Sequence, residues 1–323
     1  MSGLQAPPKR DTPSRAAARL VMLLLLVVVA GTVIYTAVTN QNVTLVEDVR
    51  TAGLELEDPS EVGGLTVNVV DESGDGIPVV FLHDAEPAGS LTLAPLGGAL
   101  PDGYRAIRID MPGFGYSDRI PSVAPEHTAA GMGENMAVVI QERFDVPVVL
   151  VGVGFGGEVA AEVALAAPES VGGLVLVDVD FEEDSSWVRL LEQLPWVGRA
   201  ATYTWETGGR FSSGTWAPHC EEGGWCPTSE QSAERRFIVS IAGTTESFHG
   251  FVRTPPAALA PTNLEEITAP VAYVRSTAGE VTEETVDELS RGLAGLTVFE
   301  SDSFEAHLED HDTVIEAIIA VSG

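Results

Sequence analysis

Positive charge is the scarcest feature of this sequence. Lys9 is the only lysine in 323 residues, and 17 basic side chains stand against 48 acidic ones, for a formal net charge of −31. A body so acidic repels phosphate backbones and anionic lipid headgroups, which argues against nucleic-acid or membrane-surface binding. Cysteine is nearly absent as well. Two residues, Cys220 and Cys226, are too few for a thiolate metal cluster, and His219 beside them does not complete one. In an exported chain such a pair forms a short-loop disulfide by default. No metal or cofactor is expected. No internal repeat is present, which excludes solenoids and propellers.

Uncharged apolar runs of membrane-crossing length occur once, at Leu20–Val38. At ~1.5 Å per residue its nineteen residues reach roughly 28 Å, about the hydrocarbon thickness of a bilayer. Lys9, Arg10, Arg15 and Arg19 precede it, with Asp11 the one acid. The sequence therefore predicts a basic cytoplasmic tail over 1–19, a transmembrane helix over 20–38 and a globular domain outside the membrane. A cleaved signal peptide fits less well: its apolar region is usually ~7–15 residues long, and Thr36-Ala37-Val38-Thr39 is a poor cleavage site.

Residues 39–62 read as a polar, acidic linker. Beyond it, apolar β-branched runs alternate with helical patterns. Strands are expected at Leu65–Val70, Pro78–Leu82, Tyr104–Asp110, Val146–Val151, Gly173–Asp178, Pro270–Arg275 and Leu296–Glu300. Helices are expected near 128–143, 157–167, 282–293 and 309–320, with Thr282-Glu283-Glu284 as a capped, acidic first turn. The alternation predicts a doubly wound, mostly parallel α/β sheet. Residues 182–258 break the rhythm and hold all five tryptophans, Trp187, Trp196, Trp205, Trp216 and Trp225, and both cysteines. They read as an inserted lid over the carboxyl edge of a core formed by 63–181 and 259–323.

The chemistry-bearing pattern lies at Gly152-Val153-Gly154-Phe155-Gly156, where an apolar strand turns into a helix. That is the frame of a G-x-S-x-G nucleophile elbow with glycine at the attacking position. Other motifs fall in order around it: Val79-Val80-Phe81-Leu82-His83, then Asp110-Met111-Pro112-Gly113-Phe114-Gly115-Tyr116-Ser117, Leu174-Val175-Leu176-Val177-Asp178 and His307-Leu308-Glu309-Asp310. Together they resemble the α/β-hydrolase family over roughly residues 60–323. The resemblance implies that fold, and it implies where a Ser-His-acid triad would sit. The nucleophile falls on Gly154, the acid near Gly279 and the base histidine on Phe304, with His307 at a second, non-catalytic position. The oxyanion loop, ordinarily His-Gly, is His83-Asp84, which sets a carboxylate where negative charge would develop. All three triad positions lack their chemistry.

The resulting expectation is a membrane-anchored, non-catalytic member of the family that binds a small, largely apolar ligand or a protein partner. Its pocket is expected to involve His83, Asp84, Gly154, Phe155 and Phe304. Two rivals remain. One is an active hydrolase with a displaced constellation, for which Asp178, Asp180 and Glu280 are candidate acids. The other is a dinucleotide-binding Rossmann unit, because Gly152-x-Gly154-x-x-Gly157 follows a strand and Asp178 lies 21 residues on.

Overall fold

The computed structural model describes residues 58–323 apart from 73, 122–123, 181–218, 255–262 and 294, together with 56 and, near the amino terminus, 22, 24–31 and 33–34. The amino-terminal residues are helical and exposed. No helix among the described residues is long and apolar enough to cross a membrane. The rest of the expected span at 20–38 lies outside the described residues, as do 181–218, which hold four of the five tryptophans.

The body begins with a small antiparallel hairpin, β1 (Ser60–Val62) and β2 (Leu65–Val67). Seven further strands form one sheet: β3 (Val69–Asp71), β4 (Ile77–Leu82), β5 (Tyr104–Ile109), β6 (Val148–Val153), β7 (Val171–Val177), β8 (Val271–Ser276) and β9 (Thr297–Ser301). Their spatial order is β3-β5-β4-β6-β7-β8-β9. Only β3 runs antiparallel, against β5; all other pairs are parallel. The seven predicted runs all appear as strands, the first divided by Asn68.

The central strands are buried on both faces, and that is why they read as continuous apolar runs rather than alternating ones. Val79 and Phe81 of β4 pack to one side with Val149, Val151 and Val177, under the helix His311–Val321. Val80 and Leu82 face the other side with Leu150, Leu174 and Tyr273, under the helices Ala129–Arg143 and Phe155–Ala166. Each fully buried Val, Leu or Phe contributes on the order of 1.5–3 kcal/mol of transfer free energy.

Helix ends follow the side-chain chemistry. Thr128, Thr282 and Asp310 each accept a hydrogen bond from the first turn of the helix that follows. Pattern reading missed the short Ala94–Gly98 helix and two helices in the inserted region, Ser229–Val239 and Thr244–Val252. The first of these two opens on a capping box between Thr228 and Gln231. The second anchors through rings: Phe248 and Phe251 meet Phe114 edge-on at 5.9 Å, and Phe251 meets Phe155 at 4.7 Å. Arg235 adds an ion pair to Glu86 at 2.9 Å, and Arg119 donates to the Thr244 hydroxyl at 2.9 Å. The inserted helices are therefore tied to the loops leaving β4 and β5.

Candidate ligand site at the elbow

Strand β6 ends at Val153, and the chain turns through Gly154 into the helix Phe155–Ala166. Gly154 has φ +50° and ψ −123°, a region that costs a residue bearing a side chain about 1–3 kcal/mol. The turn is tight on its inner side as well. A Cβ on Gly156 would stand 2.4 Å from the Leu82 and His83 carbonyl oxygens, so helix and β4 can approach only over a glycine. The elbow geometry is present; the attacking group is not.

Another residue takes up that space. A Cβ built on Gly154 would lie 2.3 Å from Asp84 Oδ1 and 2.4 Å from its Cγ. The Asp84 carboxylate, reaching across from the loop after β4, occupies the volume where an elbow side chain would stand. Phe155 N–H donates to Asp84 Oδ1 at 2.8 Å. That amide, on the residue after the elbow position, belongs to the pair that forms an oxyanion hole in this architecture. Here it holds a permanent carboxylate at the amino end of a helix, where anions are favoured.

The remaining expected positions converge on the same place. A cavity of about 280 Å³ is walled by Asp84, Gly154, Asp178, Asp180, Gly279, Glu280 and Phe304, and also by Glu305, His219 and His307. Gly279 cannot be exchanged for an acid without movement, because a Cβ there would stand 2.8 Å from the Phe304 carbonyl oxygen. Asp178, at the end of β7, has φ +50°. Its carboxylate accepts from Ser276 N–H at 2.6 Å and Ser276 Oγ at 2.7 Å, and Ser276 Oγ in turn accepts from Ala306 N–H at 2.8 Å. Asp178 thus ties the ends of β7 and β8 to the last loop. Burial pushes its carboxyl above the usual range, against the hydrogen bonds from Ser276.

Two expected pocket residues belong elsewhere. His83 is fully buried: Nδ1 donates to the Asp84 carbonyl at 2.6 Å, and Nε2 accepts from Met111 N–H at 3.0 Å. Burial lowers its pKa, so it stays a neutral structural clamp on the loop that carries Asp84. Phe155 lends the site its backbone amide, while its ring packs beneath on Phe251. Five carboxylates also face the cavity. Nor does the glycine motif offer a pyrophosphate seat, because the Asp84 carboxylate fills the helix amino end that would have to receive one. Asp178, the would-be ribose ligand, is turned onto Ser276.

Glu305 and His307 are among the cavity residues that the sequence did not point to. Glu305, next to Phe304, has its carboxyl pushed up to about 7, first by burial and then by the Asp84 charge. His307 is 8% exposed and its Nδ1 has no hydrogen-bond partner. Burial pushes its imidazole down to about 4, which leaves it neutral. The sequence signal for both was their place between β9 and the last helix, just after the position aligned with a catalytic base; Glu305 caps the short helix Ala306–Glu309 and His307 lies in it.

The outer wall comes from the inserted region. Cys220 and Cys226 are joined in a disulfide with Cα atoms 4.9 Å apart, as expected. The loop it closes is docked by Glu309, which accepts from Trp225 N–H at 2.7 Å and Phe304 N–H at 3.1 Å. His219 then stacks on Phe304, ring centroids 4.1 Å apart and planes 6° from parallel. Among the described residues no group of histidine, cysteine and carboxylate side chains has the spacing to hold a metal ion.

Sheet order, elbow and oxyanion loop define an α/β-hydrolase fold. Comparison with known proteins agrees: the family model for the α/β hydrolase fold matches residues 78–204, and the chain has that fold. A pimeloyl-acyl-carrier-protein methyl ester esterase from Shewanella woodyi is 31% identical over 122 residues, 36% of this chain and 43% of that protein. The corresponding enzyme of Aeromonas hydrophila is 32% identical over 110 residues, 33% of this chain and 40% of that protein. The chain thus matches about two-fifths of the length of these curated relatives. Among solved structures, a putative epoxide hydrolase from Pseudomonas aeruginosa aligns with a TM-score of 0.68 at 13% identity, covering 81% of this chain and 93% of that one. A thermophilic esterase from Thermogutta terrifontis aligns with a TM-score of 0.60 at 19% identity, covering 81% and 97%.

Proposed function

We propose that this protein is a membrane-anchored α/β-hydrolase-fold binding module, held outside the cytoplasmic membrane by residues 20–38, that does not hydrolyse esters through its elbow. One observation carries the non-catalytic reading: the Asp84 carboxylate occupies the space of the missing nucleophile and takes the amide that would stabilise an oxyanion. A carbonyl oxygen has no access to that amide while Asp84 holds it, and a fixed negative charge opposes the charge a tetrahedral intermediate develops. Phe304, at the position of the base, has no proton to move. The anchor rests on the uncharged nineteen-residue run and its basic flank, and an extracytoplasmic address agrees with the disulfide. The test is direct. Full-length protein is treated with a fluorophosphonate and assayed on nitrophenyl esters, and neither labelling nor turnover is expected. Labelling at any serine would overturn the reading. Retention of the protein in the membrane pellet after alkaline extraction tests the anchor.

A second reading keeps chemistry at the site. Asp84 Oδ1 is held by Phe155 N–H, which leaves Oδ2 as a carboxylate nucleophile entering from the oxyanion loop. Turnover of an alkyl electrophile in ¹⁸O-water, with the label appearing in Asp84, would favour it over the binding module.

A further inference from the structure

A row of buried serines runs from the cavity wall toward the surface. Ser276 ends β8, Ser301 ends β9 and Ser303 lies two residues on. All three are buried, at 0%, 2% and 8% exposure. Ser276 Oγ donates to Asp178 Oδ2 at 2.7 Å. Ser303 Oγ stands 3.4 Å from Ser276 Oγ and 2.8 Å from Ser301 Oγ. Ser301 Oγ donates to Asp310 Oδ2 at 2.7 Å. Asp178 lines the cavity. Asp310 is partly exposed at the start of the last helix, where it also accepts from Thr313 N–H and Thr313 Oγ1. Oxygen therefore follows oxygen from one carboxylate to the other in a row of four contacts.

The protons of this row can be counted. Each hydroxyl carries one hydrogen and accepts through two lone pairs, so three hydroxyls serve four contacts. When both carboxylates are ionised they only accept, and Ser276 and Ser301 turn their hydrogens outward to them. The Ser303 hydrogen is then left for two contacts and serves one. The distances agree. Ser303–Ser301, at 2.8 Å, is an ordinary O–H···O bond, whereas Ser276–Ser303, at 3.4 Å, lies beyond the ~2.5–3.0 Å range. Ser276 Oγ also accepts from Ala306 N–H at 2.8 Å, which leaves it one lone pair for a further donor. One added proton fills all four contacts. Protonated Asp178 donates to Ser276, Ser276 to Ser303, Ser303 to Ser301 and Ser301 to Asp310. Protonated Asp310 runs the same row the other way.

We propose that this serine row is a binding site for a single proton, shared between Asp178 and Asp310, through which the cavity wall exchanges charge with the outside of the fold. A proton arriving at Asp310 Oδ2 turns the row toward Asp178. Each oxygen then passes its hydrogen forward: four O–H bonds break, four form, and Asp178 ends protonated with Asp310 ionised. Asp178 is the favoured end. Burial raises its carboxyl, against the hydrogen bonds from Ser276. Asp310 is also raised by burial, but the hydrogen bonds from Ser301 and Thr313 bring it below the usual range. The inference goes beyond the binding-module reading and does not depend on it, because the hydroxyl count and the distances hold whatever the cavity receives.

Carbon-13 NMR of the aspartate carboxyls in the full-length protein, followed through a pH titration, tests this. The Asp178 signal is identified by its loss in Asp178→Asn. Ser303→Ala cuts the row at its centre, so protonated Asp178 leaves the Ser276 hydrogen without its acceptor. The Asp178 midpoint should move to lower pH. At the parent's midpoint the ratio of protonated to ionised Asp178 should fall about threefold or more, the scale of part of one hydrogen bond. Ser303→Thr keeps the hydroxyl and should titrate as the parent does. Asp310→Asn lets an amide N–H fill the row from the far end, so it should lower the Asp178 midpoint in the parent and leave it unmoved in S303A. Ser301→Ala, one contact further on, takes the place of S303A should that variant melt early, with the same expected shift. Asp84, Asp180, Glu280, Glu305, His219 and His307 face Asp178 in the cavity. Tyr273 and Arg275 lie near it on β8, and His311 lies beside Asp310. These groups are kept in every variant, so their charges cancel from the comparison. An Asp178 midpoint unmoved by S303A, an S303T variant that titrates like S303A, no Asp310→Asn shift in the parent, or one that persists in S303A would each overturn the inference.

Discussion

Replacing Gly154 by serine restores, on paper, the residue this fold ordinarily carries at its elbow, yet it should destabilise this protein and yield no esterase. Two costs follow from the geometry. A side chain at φ +50° and ψ −123° costs about 1–3 kcal/mol. The new Cβ must also evict the Asp84 carboxylate, which stands 2.3–2.4 Å away, and with it the hydrogen bond from Phe155 N–H, worth about 1 kcal/mol net for a solvent-facing group. Gly154→Ser should therefore cost about 2–4 kcal/mol. At about 2–4 °C per kcal/mol for a domain of this size, the melting temperature should fall by roughly 5–15 °C. The eviction part vanishes once the carboxylate is gone. In an Asp84→Ala background the same serine should cost only the backbone strain, and the double-mutant cycle should show about 1 kcal/mol of coupling. Thermal or urea melts of the four proteins measure this. A serine that costs nothing, or that costs the same with and without Asp84, would refute the claim that the two positions share one volume. Fluorophosphonate should label neither serine variant, since Phe304 still stands where a base is needed.

Other expectations follow from the same site. Glu305, raised from an ordinary 4.5 to about 7, holds its proton longer in the folded state, so its contribution to stability falls as pH rises from 4.5 to 7. Relative to the parent, Glu305→Gln should gain stability across that window, by at most about 3 kcal/mol, read as the difference between pH-dependent melts. His307, lowered from 6.5 to about 4, acts in the opposite sense. Its contribution is present above 6.5 and lost as pH falls toward 4, so E305Q should show a steeper acid loss than the parent between 6.5 and 4.5. Asp178→Ala should cost about 2–4 kcal/mol, because it leaves the buried Ser276 N–H without its acceptor and puts alanine at φ +50°; an Asp178→Asn change that melts like the parent would show that shape rather than charge holds that corner. Removing the disulfide with a Cys220→Ser, Cys226→Ser pair should cost about 2 kcal/mol by loop entropy and should weaken ligand binding through the freed His219 wall; unchanged binding would detach His219 from the site.

Much of the architecture was legible because parallel strands buried on both faces leave an unmistakable mark. Val148–Val153 and Val171–Val177 are apolar almost throughout, and Thr282 and Thr128 announce their helices through caps. The helices Ser229–Val239 and Thr244–Val252 were not legible. Their apolar residues are few and face loops of the body rather than the sheet, so their order comes from Arg235–Glu86 and the phenylalanine contacts, which are long-range in sequence. At the site, the elbow and the vacancy at position 154 were readable from spacing alone. His83 was misplaced because a histidine beside an oxyanion loop reads the same whether it faces a ligand or clamps two backbone segments; Met111 N–H decides the matter. Glu305 was missed because its character comes from burial and from Asp84, 221 residues away in the chain.

The pairing of Gly154 with Asp84 explains why neither residue is informative by itself. Glycine at an elbow could be mere loss, and the fold would tolerate it, since removing a side chain at positive φ relieves strain. Aspartate in an oxyanion loop would clash with a serine and oppose the charge that serine chemistry develops. Placed together, each makes the other admissible. The glycine opens the volume into which the carboxylate reaches, and the carboxylate satisfies an elbow amide that would otherwise face the cavity unpaired. In the non-catalytic reading proposed above, hydrolysis at this elbow would require changes at both positions, and at Phe304 as well. A single serine lands on an occupied site, and removing Asp84 alone leaves an oxyanion hole with nothing to attack. What the pairing leaves is a carboxylate in the elbow volume, held by Phe155 N–H at the amino end of a helix.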